Sequence, residues 1–283
     1  MLRTSCNGGI FDNMKTLAEA RTDYVAWLKD PAARALSTVR WGTPFMQRAA
    51  GDPALGGCSE VGSLIVVGGW PGTGKSMFGL RELAYLPAKS LYLSFEDSER
   101  EVAKRGAIID PEQQEQITLI TDPRSATLPA VENAVRDFRL MYADDDAPFV
   151  VLVDYIQLLS LGAQGQQQRT HEISQIVGGL RALGRDEGAV FILNAHLQRP
   201  QRPAKKRGQQ EDDDAPPPKP RMSDLGDSKS IEGTADAVLL LYPWQDGTLE
   251  IFNAKHKHGP AGARKLFRRD PDSGWLDEVL HDY

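Results

Sequence analysis

The middle of the chain alternates between two hydrophobic patterns. Short runs of aliphatic and β-branched residues are separated by longer stretches in which apolar residues recur every three or four positions. The runs predict strands at residues 61–67, 90–95, 117–120, 149–153 and 190–194. The longer stretches predict helices near residues 76–86, 98–107, 128–141 and 170–187. This alternation is typical of parallel strands with helices on both faces, so we predict an α/β fold with a mostly parallel, twisted sheet.

The pattern changes beyond residue 234. Three strand-like runs follow one another at residues 237–242, 248–254 and 263–269. The turn sequences Asp246-Gly247 and Asp272-Ser273-Gly274 lie near their ends, and such turns join antiparallel neighbours. We therefore predict an antiparallel C-terminal extension of the sheet.

The N-terminal part has a different character. Residues 12–36 carry apolar positions at helical spacing, with Pro31 as a break or a helix start. Residues 40–60 are rich in glycine, proline and small residues, which predicts a linker into the core. We therefore divide the chain into an N-terminal helical segment, residues 1–39, and a core domain, residues 40–283.

Composition restricts the setting of the protein more than its function. The 283 residues are 41% hydrophobic and 25% charged, as in ordinary globular proteins. No apolar run approaches the ~20 residues of a membrane helix, and the N-terminus lacks the basic-then-apolar order of a signal peptide. Two cysteines cannot build a disulfide framework, so we expect a cytoplasmic protein with no membrane partner. Because the formal net charge is -6, any surface for nucleic acid must be local.

The first chemical signal is a phosphate-binding loop. Residues 69–76 match the pattern G-x-x-x-x-G-K-[ST] between a predicted strand and a predicted helix, which is the context that this motif requires. Its glycines let backbone N–H groups face a phosphate chain, and the helix adds the positive end of its dipole. We predict that Lys75 reaches the β- and γ-phosphates of a nucleoside triphosphate and that Ser76 holds Mg²⁺. The predicted nucleotide-binding residues are Gly69, Trp70, Pro71, Gly72, Thr73, Gly74, Lys75 and Ser76.

Polar side chains follow three other predicted strands. Asp154 ends one of them, where it would hold Mg²⁺ directly or through water, or else only begin a turn. Glu96 would orient and deprotonate an attacking water, or else cap a helix. We expect Asp97 to cap the helix that starts near Ser98. His196, just past the run 190–194, would contact the γ-phosphate or be a satisfied structural histidine.

Two charged segments lie outside this pattern. Residues 198–222 combine basic residues with an acidic run and a run of three prolines at 216–218, which predicts a long loop without helix or strand. Lys255 and Lys257 follow the run 248–254, one residue apart, and therefore point the same way on an extended chain. They lie too far along the fold to reach phosphates in their own subunit, which favours a role at a neighbour's nucleotide over a solvated charged turn.

The order of these motifs resembles that of the RecA-fold hexameric replicative helicases. The likeness is to the DnaB type and, more closely, to the helicase half of phage primase-helicases and of the mitochondrial Twinkle helicase. The segment Val153-Asp154-Tyr155-Ile156-Gln157-Leu158-Leu159 is similar to the family's second nucleotide motif. Residues 223–232 and 235–238 resemble the region after its DNA-binding loop, and Lys255-His256-Lys257 with residues 259–262 resembles its finger motif. Gly274-Trp275-Leu276 resembles the closing hairpin of the phage enzymes.

The resemblance implies a RecA-like P-loop NTPase core and a role for each motif. The implied metal ligands are Ser76 and Asp154. The implied catalytic residues are Glu96, Lys75, the γ-phosphate sensor His196, and the pair Lys255 and Lys257, which acts on the neighbouring subunit's nucleotide. The family's finger residue is usually arginine, whereas Lys257 is a point charge without a planar fork.

The resemblance also implies where DNA would lie. The loop after His196 and the shorter loop at residues 160–170, which includes Arg169, would face the channel of a ring. Basic side chains there would contact phosphates and carry little sequence information. The predicted DNA-binding residues are Arg199, Arg202, Lys205, Lys206 and Arg207.

These implications predict an ATP- and Mg²⁺-dependent DNA helicase or translocase. It would act on single-stranded DNA in replication as a homo-hexameric ring, with residues 12–36 packing on an adjacent subunit and with a separate primase or replisome partner. One alternative is a RecA-like DNA-dependent ATPase that forms filaments in recombination or repair, which the lysine pair favours and residues 224–232 disfavour. The other alternative is a nucleotide-gated assembly factor with weak turnover.

Overall fold

A computed structural model of the chain describes residues 15–162, 169–198, 218–225, 228–244 and 247–279. The helices in these ranges are α1 (Leu17–Lys29), α2 (Pro31–Ala35), α3 (Pro44–Ala49), α4 (Lys75–Ala84), α5 (Glu99–Gly106), α6 (Pro111–Gln114), α7 (Leu128–Met141), α8 (Arg169–Glu187) and α9 (Ser228–Thr234). The strands are β1 (Thr38–Arg40), β2 (Cys58–Glu60), β3 (Leu64–Gly69), β4 (Ser90–Ser94), β5 (Ile117–Ile120), β6 (Phe149–Asp154), β7 (Ala189–His196), β8 (Ala237–Pro243), β9 (Thr248–His256), β10 (Arg264–Arg269) and β11 (Leu276–Glu278).

Nine of the described strands form one sheet, in the order β11-β10-β9-β8-β3-β7-β6-β4-β5. The strands from β8 to β5 in this order run parallel to one another. β9, β10 and β11 continue the sheet antiparallel. The predicted parallel core and its antiparallel extension are therefore confirmed.

Helices cover both faces of this sheet, as predicted. Successive residues of a strand point to opposite faces, and β6 shows the consequence. Val151 belongs to the core that packs under α7, α8 and α9, whereas Leu152 belongs to the core that packs under α3, α4 and α5. Continuous apolar runs such as 149–153 are thus explained by burial on both sides.

The ends of some elements differ from the prediction. β5 and α7 have the predicted limits, but β3 starts at Leu64 instead of residue 61. Residues 61 and 62 form a turn in which Gly62 has a φ of 80°. β7 extends through His196, so this histidine ends the strand and does not follow it.

The prediction of a linker at residues 40–60 is wrong. This segment contains α3 and pairs β1 with β2, and α3 buries Phe45, Met46 and Ala49. The Phe45 ring packs edge-on against Phe78 of α4 and Phe267 of β10, with centroid distances of 6.3 and 6.0 Å. Aromatic contacts of this kind add to the stability gained by burial. Residues 44–49 are therefore part of the core.

The N-terminal helices are attached more loosely. α1 buries none of its residues and starts at a capping box formed by Thr16 and Glu19. α2 begins at Pro31, in accord with the predicted break, and Asp30 caps it. The domain boundary at residue 39 remains a prediction. In the described part of the chain, no helix combines the length and apolarity needed to cross a membrane.

Candidate functional site

The phosphate-binding loop joins the C-terminal end of β3 to the first turn of α4. Gly74 precedes the helix with a φ of 99°, a conformation that favours glycine. A Cβ atom on Gly69 would lie 2.5 Å from Thr73 Oγ1, and this hydroxyl donates a hydrogen bond to the Trp70 carbonyl at 2.8 Å. The loop thus needs glycine both for its turn and for its close packing, and it presents the N-terminus of α4 to a phosphate chain.

Lys75 is folded back into the loop. Its Nζ donates hydrogen bonds to the carbonyl oxygens of Gly69, at 3.0 Å, and of Trp70, at 3.1 Å. The residue is only 5% exposed. Burial lowers the pKa of Lys75 to about 8, although the carboxylates of Asp154 and Glu96 oppose this shift. A negatively charged ligand in the loop would reverse the shift by favouring the ammonium form.

Asp154 lies at the end of β6, two strands away from β3. It is 1% exposed, and its Oδ2 accepts a hydrogen bond from the Tyr92 hydroxyl at 2.9 Å. Asp154 and Ser76 line the same cleft. Among the described residues, no group of three or more histidine, cysteine or acidic side chains could hold a metal ion. One carboxylate and one hydroxyl nevertheless fit Mg²⁺, which is usually bound by one or two protein oxygens together with phosphates and water.

Glu96 follows β4 and stands at the mouth of the cleft. Partial loss of solvation raises the pKa of Glu96, and the negative charges of Asp154 and Asp97 add to this effect. The expectation for Asp97 is wrong. Ser98 caps α5 in a capping box with Glu101, whereas Asp97 forms an ion pair with Arg105 of α5.

His196 lies directly beside the phosphate loop, because its β7 position pairs with Gly69 of β3. Its ring stacks on Tyr155 with a centroid distance of 3.9 Å. Gln157 holds its backbone at both ends, accepting from the His196 N–H at 3.0 Å and donating to the His196 carbonyl at 3.2 Å. Burial, together with the charge of Lys75, lowers the pKa of His196, so the neutral imidazole predominates near pH 7.

These groups meet around one cleft of about 220 Å³ at the C-terminal ends of the parallel strands. This is the edge at which open α/β sheets bind ligands. The residues predicted from sequence that line the cleft are Pro71, Gly72, Gly74, Lys75, Ser76, Glu96, Asp154 and His196. A larger cavity of about 470 Å³ opens at the opposite edge of the sheet, and no residue of the phosphate loop lines it.

The turn between β10 and β11 forms the opposite wall of the cleft through Arg269, Ser273 and Gly274. Arg269 Nη1 donates to the Gly72 carbonyl at 3.5 Å. Sequence reasoning missed Arg269, Arg105, Tyr92 and the clamp formed by Gln157. The segment of Gln157 resembles a family motif, but only the hydrogen bonds to His196 show that its side chain reaches β7.

The two predicted lysines lie at the opposite end of the parallel strands from the phosphate loop. β9 runs antiparallel to β8 and pairs His256 with Ala237, at the N-terminal end of the parallel strands. Lys257 Nζ lies 3.2 Å from Asp236 Oδ1, and Lys255 Nζ donates to the Glu232 carbonyl. The length of β3, ~20 Å for six residues, separates this edge from the phosphate loop. The structure therefore does not bring the lysines into the cleft of their own chain.

The predicted DNA-binding residues Arg199, Arg202, Lys205, Lys206 and Arg207 lie outside the described residues. Of the shorter loop, residues 163–168 also lie outside them. Arg169 is the first residue of α8 and not part of a loop. Its guanidinium donates hydrogen bonds to the carbonyls of Gln157 and Leu159, both at 2.8 Å.

Known proteins of one family are similar to this chain. The family model of the DnaB-like helicase C terminal domain matches residues 109–271, more than half of the chain. The probable replicative DNA helicase of Trieres chinensis is 26% identical over 259 residues, which cover 77% of this chain and 54% of that protein. The chain therefore spans about half the length of this relative.

Two solved structures share the fold. One, described as an ATPase domain, superposes with a TM-score of 0.65 at 18% identity and covers 94% of this chain and 100% of that one. The other, a DnaB-like replicative helicase described with its interactions with primase, superposes with a TM-score of 0.61 at 21% identity, over 76% of this chain and 58% of that one. The predicted RecA-like ATPase fold is confirmed.

Proposed function

The chain belongs to the family of DnaB-like helicase C-terminal domains, and on this premise we propose that it is an ATP-driven motor on single-stranded DNA. We propose further that it acts in DNA replication as a subunit of a hexameric ring. The observation that carries the proposal is the meeting of Lys75, Ser76, Glu96, Asp154 and His196 around one cleft beside the phosphate loop.

Each of these groups suits one part of phosphoryl transfer to water. Lys75 would leave the loop carbonyls and bind the β- and γ-phosphates, where its charge stabilises the negative charge that develops on the γ-phosphate. Ser76 and Asp154 would hold Mg²⁺, which would neutralise part of the negative charge of the phosphates. Glu96 would orient the attacking water and accept its proton, a role that suits a carboxylate with a raised pKa.

His196 would report on the nucleotide. Its neutral ring lies beside the loop, and its backbone is fixed by Gln157. The chain continues from His196 through Leu197 and Gln198 into the basic loop that we propose as a DNA contact. A contact between His196 and the γ-phosphate would therefore act close to the start of that loop.

The lysine pair supports a shared site. Lys255 and Lys257 lie at the edge opposite the phosphate loop, so they could meet a nucleotide only in another subunit. A ring joins such unlike surfaces head to tail. We propose that Lys257, which is half-exposed, reaches the γ-phosphate in the adjacent subunit, with Lys255 beside it.

A primase is the partner that we propose. One structural neighbour was described with its interactions with primase, and this chain spans only part of that helicase. The filament-forming recombinase and the weakly active assembly factor are not favoured, because the matching family is that of replicative helicases.

The test is hydrolysis and unwinding by wild type and by Glu96→Gln. We expect wild type to hydrolyse ATP faster when single-stranded DNA is added and to displace a paired strand. Glu96→Gln should bind nucleotide normally but lose roughly 10²- to 10⁴-fold in hydrolysis, the usual contribution of a general base.

Glu99→Gln is the matched control. It changes an exposed carboxylate in the first turn of α5, three residues away, and should keep the wild-type rate. Unchanged hydrolysis in Glu96→Gln would refute the catalytic assignment, and a wild-type rate indifferent to DNA would refute the motor.

A further inference from the structure

Asn194 is a polar residue in an apolar layer of the sheet. It lies on β7, between β3 and β6, and pairs with Val67 of β3. Its neighbours on the same face, Val67 and Ile192, belong to the apolar core under α4. On the other side, the last registered pair of β6 and β7 is Val153 with Leu193. The next position along both strands therefore sets Asn194 beside Asp154, on the same face.

The amide of Asn194 is buried without a partner. The residue is 0% exposed, and neither Nδ2 nor Oδ1 has a hydrogen-bond partner among the described residues. An unpaired buried amide is unfavourable, and native proteins keep few of them. A leucine of similar size would suit the apolar neighbours better, so the amide points to a ligand that completes its hydrogen bonds.

The first turn of α4 covers this position. A Cβ atom on Gly79 would lie 2.8 Å from Leu152 Cδ2, so Gly79 packs directly on Leu152. Lys75 precedes Gly79 by about 6 Å along the helix, and Asp154 follows Leu152 by about 6.6 Å along the strand. Asn194 and Asp154 therefore lie beneath the turn that carries Lys75 and Ser76.

We propose that Asn194 is a positioning residue for the hydrated cation that accompanies the nucleotide. With nucleotide bound, its Oδ1 would accept a hydrogen bond from a water of the hydrated Mg²⁺, and its Nδ2, unpaired in the nucleotide-free chain, would donate to the carboxylate of Asp154. Tyr92 already holds Asp154 from the β4 side, so Asn194 completes its support from the β7 side. This inference rests on the nucleotide site proposed above and adds a residue to it.

The test uses two substitutions with opposite effects on stability. Asn194→Leu removes an unpaired polar group and should raise the Tm by about 2 to 4 °C. Asn194→Ala leaves a cavity and should lower the Tm. In both variants, the Mg²⁺ concentration that gives half-maximal binding of a non-hydrolysable ATP analogue should rise on the order of tenfold. This rise corresponds to the loss of one hydrogen bond to a charged group. Binding in EDTA should stay unchanged.

Asn253→Leu is the control. Asn253, on β9, is also buried and its Oδ1 is unpaired, but its Nδ2 donates to the carbonyl of Ala49 in α3. This variant should lose stability and keep the wild-type Mg²⁺ dependence. If both Asn194 variants keep that dependence while wild type shows it, the inference is wrong. If wild type itself binds no nucleotide with Mg²⁺, the proposed function fails instead.

Discussion

At the scale of single residues, Lys75 has the environment with the clearest consequence. Its pKa is lowered to about 8 by burial, so near pH 8 about half of the ligand-free chains carry a neutral lysine in the loop. Between pH about 8 and 10.5 the folded chain binds fewer protons than the unfolded chain at this group, so this group makes the ligand-free fold more stable as pH rises through that window.

Nucleotide binding should therefore take up protons. A triphosphate favours the charged lysine, so at pH 8 we expect an uptake of about half a proton per site from Lys75, and much less at pH 6.5. Calorimetric titration with a non-hydrolysable ATP analogue, in two buffers of different ionisation enthalpy, measures this uptake.

Lys75→Arg provides the comparison, because arginine stays charged at both pH values. Any residual binding by this variant should lack the uptake at pH 8. If wild type takes up no proton at pH 8, Lys75 is already charged in the ligand-free loop.

The two acidic residues of the cleft that we propose to act in hydrolysis, Asp154 and Glu96, are placed differently. Asp154 is buried and held by Tyr92, as suits a metal ligand with a fixed orientation. Glu96 is exposed at the mouth, and desolvation and negative neighbours raise its pKa, as suits a group that accepts a proton from water. Different surroundings thus give two carboxylates on adjacent strands different roles.

At the scale of elements, the unit formed by β3, the phosphate loop and α4 determines the site. β7 and β6 follow β3 in the sheet, so the C-terminal ends of three strands bring His196 and Asp154 next to the loop. These elements were predictable because each is a local signal, either an apolar run or a spaced motif. Their order in the sheet was not, because strand neighbours depend on contacts between residues far apart in sequence.

The α3 segment shows where local signals failed. The glycines, prolines and small residues of the segment 40–60 suggested a linker, although Trp41 and Phe45 lie in the core at 1% exposure each. Three residues after Trp41, Pro44 starts α3 behind the cap residue Thr43, a signal that sequence reasoning overlooked. The prediction for Asp97 was wrong for a related reason. An acidic residue before a helix can either cap the helix or form an ion pair with a basic residue of that helix, as Asp97 does with Arg105.

Because α3 is part of the core, truncating its central side chain should destabilise the whole fold. Phe45→Ala removes a ring that packs on α4 and β10, and we expect a loss of about 3 to 5 kcal/mol in the free energy of unfolding. Urea denaturation measures this loss. Arg48→Ala, on the same helix but outside its buried set, should cost less than 1 kcal/mol, about the usual limit for surface substitutions. A small loss in Phe45→Ala would restore the linker interpretation.

At the scale of the whole molecule, one buried carboxylate links the start of the nucleotide-binding strand to the proposed trans-acting lysine. Asp236 Oδ2 accepts from the Leu64 backbone N–H at 2.9 Å, at the start of the strand that ends in the phosphate loop. Its Oδ1 lies 3.2 Å from Lys257 Nζ, and Arg181 Nη2 donates a hydrogen bond to its Oδ2. The lysine proposed to act on the neighbour's nucleotide is therefore held by a residue that also anchors the chain's own nucleotide-binding strand.

Mixing two inactive variants tests whether the site is shared. A Lys257→Ala subunit keeps its own Glu96, and a Glu96→Gln subunit keeps its Lys257. In an equal mixture, about one quarter of the head-to-tail interfaces in a ring would combine the intact Glu96 of one subunit with the intact Lys257 of the next.

Hydrolysis should therefore return, to about one quarter of the wild-type rate per site if interfaces act independently, after subunits of the two variants have exchanged. Lys104→Ala, which changes an exposed lysine of α5, should be fully active. When it is mixed with Glu96→Gln, the hydrolysis rate should equal that of the Lys104→Ala subunits alone. If Lys257 acts within its own subunit, no interface of the first mixture is complete and activity stays at the level of the separate variants. Recovery would thus assign Lys257 to the nucleotide of the adjacent subunit. The length of the strands between Lys257 and the phosphate loop of its own chain requires this assignment if the lysine takes part in hydrolysis.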